Sequence, residues 1–459
     1  MKRSGSFFAI AFVAILFCIL PASASAQQSP PAPLPPTQQG TSTVPAAPQP
    51  NANAADFKCP RVADPHRRSP DCNDQDFPLD ETLAGGWDVV RRAMKPFGIT
   101  PTASYIGGLQ TNVTGGSHEV WSYAGLLTLA VNIDLDESLR IPGLSAYADF
   151  SWGTGSYLAG SLDSPIPTSG LYAPSYYLGQ MYLQQKLDRG KLTILAGRLA
   201  AGNGFANLPV FSNFVNYGIN PNPYSIGAND ATFFGPPPGT EWGVQASYAV
   251  ATGIQIQAGV FNTNINSAFG LNHGTDFALQ EGNKGALSIG EIDYQTHRGG
   301  SKHKPGQIAV GFLHSNNSFP TLNNGDVLVQ SYSGTYVLAQ QMIYRPGGPG
   351  TTQGATIWGA YSYNNQDLTS PMQHFWAAGA SYLGLVPARK NDVVSVGIVG
   401  TEASKFGSPL NTERLLELNY QWLHSRYLTI TPHGQYLWLN GPPTHKNALV
   451  LGIQFGLTL

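Results

Sequence analysis

The chain has 459 residues, a formal net charge of −2 and 11% charged residues, where ordinary soluble domains carry roughly 25%. That is too little charge to coat a water-soluble body of this size, and the near-neutral balance excludes a nucleic-acid binder, which needs a basic face. With 52 glycines and 11% aromatic residues, the composition fits a protein whose exterior is not water.

At the N-terminus, Lys2 and Arg3 precede an apolar run from Phe7 to Leu20, and Ala24, Ser25 and Ala26 offer small residues for cleavage. This reads as a secretory signal peptide over 1–26, with a retained anchor as the alternative and a mature chain starting near Gln27. Beyond it there is no apolar run near the ~18 residues a membrane helix needs. Residues 27–56 are Pro, Ala, Gln and Thr with almost nothing to bury, a disordered linker. Cys59 and Cys72 follow; Cys18 leaves with the signal. Two thiols in an oxidising compartment are expected to pair. Neither a metal nor a cofactor is expected, since no further cysteine or clustered histidine accompanies them. Within the N-terminal segment 57–99, Leu83, Trp87, Val90 and Met94 fall at helical spacing, which predicts a short amphipathic helix over 86–99.

From residue 100 to 459 the pattern has period two. In the last stretch Leu449, Leu451, Ile453, Phe455, Leu457 and Leu459 share one face; Ala448, Val450, Gly452, Gln454, Gly456 and Thr458 share the other. The same alternation sets Leu127, Leu129, Val131 and Ile133 against Thr128, Asn132 and Asp134. It also sets Trp242, Val244 and Tyr248 against Glu241, Gln245 and Ser247. Sixteen such segments start near 100, 121, 143, 178, 190, 240, 253, 285, 306, 331, 354, 374, 391, 412, 426 and 447. Connections after even segments are mostly short; those after odd ones are long, at 153–177, 203–239, 263–284 and 315–330. Short periplasmic turns, long external loops and an apolar outer face describe an all-β, closed, antiparallel transmembrane barrel of 16 strands. Trp121, Trp152, Tyr344, Trp422, Tyr436 and Trp438 near strand ends fit aromatic girdles.

Several segments carry a resemblance. "LAGGWDVVRRAMKPFGIT" (83–100) is similar to the N-terminal motif of the OprB-like carbohydrate-selective porins, followed by an extended segment like "PTASYIGGLQTNVTGG". "LTILAGRLAAGNGFANLPVFSNFVN" (192–216), "QAGVFNTN" (257–264) and residues 413–459 resemble the same family, although Leu459 stands where such barrels commonly end in Phe. The resemblance covers about 80–459. It implies an outer-membrane barrel that passes sugars by diffusion, with loops folded inward to narrow the pore and outer-membrane lipid around it.

Selectivity for neutral polyols needs hydrogen-bonding groups around a narrow path, and binding weak enough to release. Alternation points Asp134, Tyr147, Asp149, Glu241, Gln245, Gln257, Glu413, Glu417, Asn419, His433 and Gln435 into the lumen. Arg198 is the one basic candidate. Its parity with Leu192 and Ile194 points it to lipid, so either Gly197 hosts a bulge that re-aims it or it sits at the rim; a lumenal, carboxylate-paired Arg198 is the expectation. Aromatics, amides and prolines over 203–239, with Asp230 as the single charge, suit an inward-folded constriction. A general or weakly cation-selective porin is the alternative. An outer-membrane hydrolase is more remote: no G-x-S-x-G or H-E-x-x-H is present. Association into a homo-oligomer stays open.

Overall fold

The computed structural model describes residue 90 and residues 93–458, less 157, 159–161, 163, 172–175, 230–233, 235–238, 264–272, 275–284, 297–302, 326, 350, 407–411, 426 and 440–445. The expected signal peptide, the linker and the Cys59/Cys72 pair lie outside the described residues, as does much of the N-terminal helix. Its described end is a 3₁₀ turn, Lys95–Phe97, stopped by Gly98 at φ 73°. A side chain at Gly98 would strike the Asp134 carbonyl, so this turn needs glycine twice over.

Sixteen strands follow. They are β1 (Ile99–Thr114), β2 (Trp121–Asp134), β3 (Leu144–Gly155), β4 (Tyr176–Leu187), β5 (Leu192–Leu199), β6 (Glu241–Ala251), β7 (Ile254–Asn262) and β8 (Ala286–Thr296). The second half comprises β9 (Gly306–Pro320), β10 (Leu328–Tyr344), β11 (Gly354–Asn364), β12 (Met372–Leu383), β13 (Val393–Ala403), β14 (Thr412–Leu423), β15 (Leu428–Leu439) and β16 (Ala448–Thr458). Each pairs with its sequence neighbours, and β16 closes on β1, with Ser104 opposite Thr458 and Asn112 opposite Val450. Closure leaves no free edge, so the strand backbones satisfy one another.

Alternation is visible along β9: Ile308, Val310 and Phe312 are exposed on the outside, while Ala309, Leu313 and Ser315 are buried within. Across the ladder Tyr336 of β10 stands opposite Gly311 and lays its ring where a side chain would be. Outward aromatics gather near both strand ends. Trp121, Tyr123, Trp152 and Tyr176 mark one end; Tyr248, Tyr294 and Tyr344 mark the other.

One end of the barrel carries the start of β1, the end of β16 and the short turns. There Asp134 caps the helix Leu135–Leu139 by accepting from the backbone N–H groups of Asp136 and Glu137. The opposite end carries the long connections. One of these is shorter than the sequence predicts: β9 runs on to Pro320 and β10 begins at Leu328, directly opposite, so the connection is 321–327 rather than 315–330. Within the extension Phe319 and Tyr332 pack edge to face at 5.2 Å.

Candidate functional site

The described residues of 156–171, and residues 200–229, do not stand out in solvent; they fold into the bore and pack on the inner wall. Phe205, Leu208, Phe211, Phe214 and Ile219 are almost completely buried, in one cluster with the inward Phe261, Leu313, Tyr336, Trp358, Phe375, Val399, Leu415 and Leu437 of the strands. Trp358 is the centre of this contact. It meets Phe211 at 5.4 Å and Phe214 at 5.2 Å, both near-perpendicular, the geometry aromatic quadrupoles favour. Burying each such ring is worth roughly 2 kcal/mol, so the infolded segment is held by a core of its own.

Local sequence shapes that segment. Pro209 starts the 3₁₀ turn Pro209–Asn213. Asn216 accepts from the Ile219 N–H three residues on, the bond a helix N-cap side chain makes. Asn222 donates Nδ2 to the carbonyls of Gly202, Phe205 and Ala206 at 2.9–3.0 Å, which pins the bend where Ala206 takes φ 52°.

Wall carboxylates then bind the segment's backbone. Glu417 of β14 accepts from the N–H of Val215 at 2.9 Å, from the N–H and Nδ2 of Asn216 at 2.8 Å each, and from Gln435 Nε2 at 3.0 Å. Asn419 donates to the Asn213 carbonyl, and Glu413 accepts from the Ser164 hydroxyl. On the other side of the bore Glu291 of β8 accepts from the Ala206 N–H at 2.7 Å and from Tyr336 OH at 2.6 Å. Gln257 donates to Gly204 O and to Glu291. Charge-assisted bonds to N–H groups of this kind contribute about 1.5–3 kcal/mol each.

The sequence-selected residues divide accordingly. Asp149, Glu241, Gln245, Gln257, Glu413, Glu417, Asn419, His433 and Gln435 are buried within the barrel, mostly under the infolded segment. Tyr147 stacks on Tyr182 at 5.1 Å, and Asp149 accepts from the Gln180 N–H. Glu241, with Leu199, Phe234 and Phe261, lines a small water-sized cavity. Asp134 stands apart, exposed at the terminal rim. Alternation did not single out Glu291, Gln110, Gln340 or Trp358, because their partners lie in the infolded segment, 130 residues away for Gln340 and 147 for Trp358 and Phe211.

Arg198 stands one residue from the external end of β5, at the rim position, the second of its two expected routes. β5 pairs with β4 and β6 without a register shift, leaving Arg198 opposite Met181 and Trp242, so no bulge re-aims it. It is nevertheless 1% exposed, because β5 ends at Leu199 and the segment His273–Gly274 lies along β4 in its place. Leu178 N–H donates to His273 O at 2.8 Å, and His273 stacks on Tyr176 at 4.0 Å. Arg198 joins these pieces: Nε donates to Gly179 O (3.1 Å) and Thr240 Oγ1 (2.7 Å), and Nη1 to Gly274 O (3.1 Å). Asp149 lies within range of its charge.

Between the infolded segment and β1, β2, β15 and β16 a narrow cleft remains, with room for about one water molecule. It is lined by Gly108, Gln110, Ser122, Ala124, Ser156, Leu158, Ser169, Leu171, Val215, His433 and Gln454. Its carbonyls, amides and hydroxyls are neutral. Gln110 is fixed at both ends of its amide, donating to Thr168 O and accepting from Thr168 Oγ1, and it meets His433 Nε2 at 3.0 Å. Toward the terminal end the inward positions are small and polar: Thr102, Ser104, Thr128, Asn132, Ser145 and Gln184.

A closed antiparallel barrel with an apolar exterior and a segment folded into its bore defines a diffusion porin of the bacterial outer membrane. The profile of the OprB family of carbohydrate-selective porins matches residues 118–459, and the chain belongs to that family. Its function is the passive diffusion of sugars across the outer membrane. Two solved structures of OprB from Pseudomonas putida share the fold. The high-pH structure is 20% identical and superposes with a TM-score of 0.74 over 81% of this chain and 97% of that one. The low-pH structure is 17% identical, with a TM-score of 0.52 over 82% and 98%. No curated protein matches the chain.

Proposed function

We propose that neutral sugars cross in file through the cleft beside β1, β2, β15 and β16, and then descend along the hydroxyl- and amide-lined wall below it. The observation that carries this reading is the cleft's chemistry. Gln110, Ser122, Ser169, His433 and Gln454 offer donors and acceptors, Leu158, Leu171 and Val215 offer apolar contact for C–H faces, and among the described residues no Lys, Arg, Asp or Glu lines it. The wall carboxylates Glu291, Glu413 and Glu417 serve mainly to hold the infolded segment, so the path discriminates by hydrogen bonding more than by charge. Weak, dispersed contacts favour passage over retention.

The same reading places the outward apolar band in hydrocarbon and the aromatic girdles at the two headgroup levels. It assigns the pore no catalytic step. Export through the signal peptide, pairing of Cys59 with Cys72 and a spacer role for 27–56 belong to this proposal as well. Liposome swelling with the purified protein tests it. Glucose is expected to enter faster than amino acids of similar size; equal rates would reduce the protein to a general porin, and lipid or peptide hydrolysis in the same preparation would revive the enzyme.

A further inference from the structure

The terminal, short-turn rim is uneven in charge. Among the described residues of the turns after β8, β10 and β12 stand Lys304, Arg345, Arg389 and Lys390 against a single acid, Asp392. That acid is taken. Arg389 binds it through Nε–Oδ2 at 2.8 Å and Nη2–Oδ1 at 3.2 Å, and Tyr420 OH and the Leu423 N–H also donate to it. Lys304 and Lys390 are exposed. Arg345 Nη2 ties the 303 turn to the 345 turn, and Arg389 Nη2 ties the 389 turn to Leu423 O. Each of these turns is thereby tied to a neighbour. The arc spans four strand spacings, or about 20 Å.

Beside these cations are exposed apolar and aromatic groups: Ile343 and Tyr344 at the end of β10, and Leu385 and Val386 in the same turn as Arg389 and Lys390. Tyr344 packs on Tyr382 at 6.1 Å, and the Arg389 guanidinium sits over Trp422 at 5.4 Å. A surplus of positive charge joined edge to edge with an apolar, aromatic surface is complementary to an amphiphile with an anionic head. An acidic protein or polysaccharide would match the charge and leave the apolar half uncovered. We propose that the arc Lys304–Arg345–Lys390 binds the phosphate-bearing headgroups of anionic phospholipids in the periplasmic leaflet, with their acyl chains along Ile343 and Leu385. The proposal rests on the barrel lying in a bilayer with its short turns in the periplasm.

The test exchanges purified full-length protein into mixed micelles of phosphatidylethanolamine and phosphatidylglycerol, then counts retained lipid by native mass spectrometry. The wild type is expected to retain the anionic lipid over the zwitterionic one by roughly fivefold or more, and K304Q/K390Q is expected to lose that preference. Heat-modifiable mobility and glucose swelling report folding and the porin reading separately, and both should be unchanged in the variant. Equal retention of the two lipids, or a preference that survives K304Q/K390Q, would overturn the site. Displacement of the lipid by an equal concentration of free glycerol phosphate would overturn the commitment to lipid, and so would capture of an acidic polypeptide in preference to it.

Discussion

Asn216 in the infolded segment and Glu417 on β14 are 201 residues apart and share two hydrogen bonds: the Asn216 backbone N–H and Nδ2 both donate to Glu417 Oε2 at 2.8 Å. This pair decides where the bore is blocked and where it is left open. Strand pairing fixes Glu417 on the wall, opposite Gly397 and Gln435; the carboxylate then fixes the segment. Without it the Val215 and Asn216 N–H groups would face a barrel interior with no acceptor.

Glu417→Ala should therefore enlarge the pore while leaving the barrel intact. Losing an acceptor for buried donors costs about 3 kcal/mol, enough to free the 213–217 turn but little against sixteen closed strands. Planar-bilayer recordings should show raised and noisier single-channel conductance, and swelling assays a smaller gap between glucose and amino acids. Glu417→Gln should fall between, since its amide nitrogen would meet donors. A variant conducting like the wild type would remove the anchoring role.

Trp358→Ala attacks the same segment from its apolar side. Phe truncations and Trp truncations in packed cores cost about 3–5 kcal/mol, and here the loss falls on the contact with Phe211 and Phe214 rather than on the strand ladder. Limited proteolysis should cut within 205–220 in the variant and spare it in the wild type. Cleavage at the same rate in both would mean that the carboxylates alone hold the segment.

Much of the barrel was legible because period-two alternation is a local property: sixteen strand starts read from the sequence lie within four residues of the observed ones. Alternation also aimed Glu413, Glu417 and Asn419 correctly into the bore. It could not reveal that they meet a second layer of protein instead of water, since that layer comes from Ser164 and residues 213–216 and such contacts leave no mark in the pattern of either partner. Arg198 shows the same limit from the other side. Its parity is as alternation gives it, but the outer surface at that height is covered by His273 and Gly274, so the side chain is enclosed by protein.

Arg198→Lys should then be a damaging exchange. One ammonium cannot reach Gly179 O, Thr240 Oγ1 and Gly274 O together, whereas the guanidinium donates along fixed, separate directions. Each buried carbonyl left without a donor costs about 1–3 kcal/mol. The external end of β4 and β5 should loosen, seen as faster amide exchange at Leu178 and Gly179 with little change near the β1–β16 seam. Uniform exchange across the barrel would contradict this local role.

The faces of β16 predict opposite outcomes for adjacent residues. Ile453 is exposed on the outer face, so Ile453→Arg should lower the folded fraction in bilayers by about 2–4 kcal/mol. Gln454 borders the cleft, so Gln454→Arg should fold normally and shift ion selectivity toward anions. Refolding yields in urea-titrated vesicles and reversal potentials separate the two. Matching penalties at both positions would mean that the outward and inward assignments are wrong.

His433 offers the sharpest test of the path itself. Its ring fits because Gly452, opposite in the β15–β16 ladder, has no side chain to displace it, and its Nε2 meets the Gln110 amide. His433→Phe keeps the ring's bulk and removes its hydrogen bonding; His433→Gln keeps an amide in the same cleft. A hydrogen bond to a passing sugar hydroxyl is worth about 1 kcal/mol, or roughly fivefold in occupancy. His433→Phe should accordingly slow glucose swelling several-fold while small-ion conductance changes much less, and His433→Gln should restore most of the sugar rate. If Phe and Gln slow sugar and ions in the same proportion, the residue acts only by its size and the cleft is not where sugars are chosen.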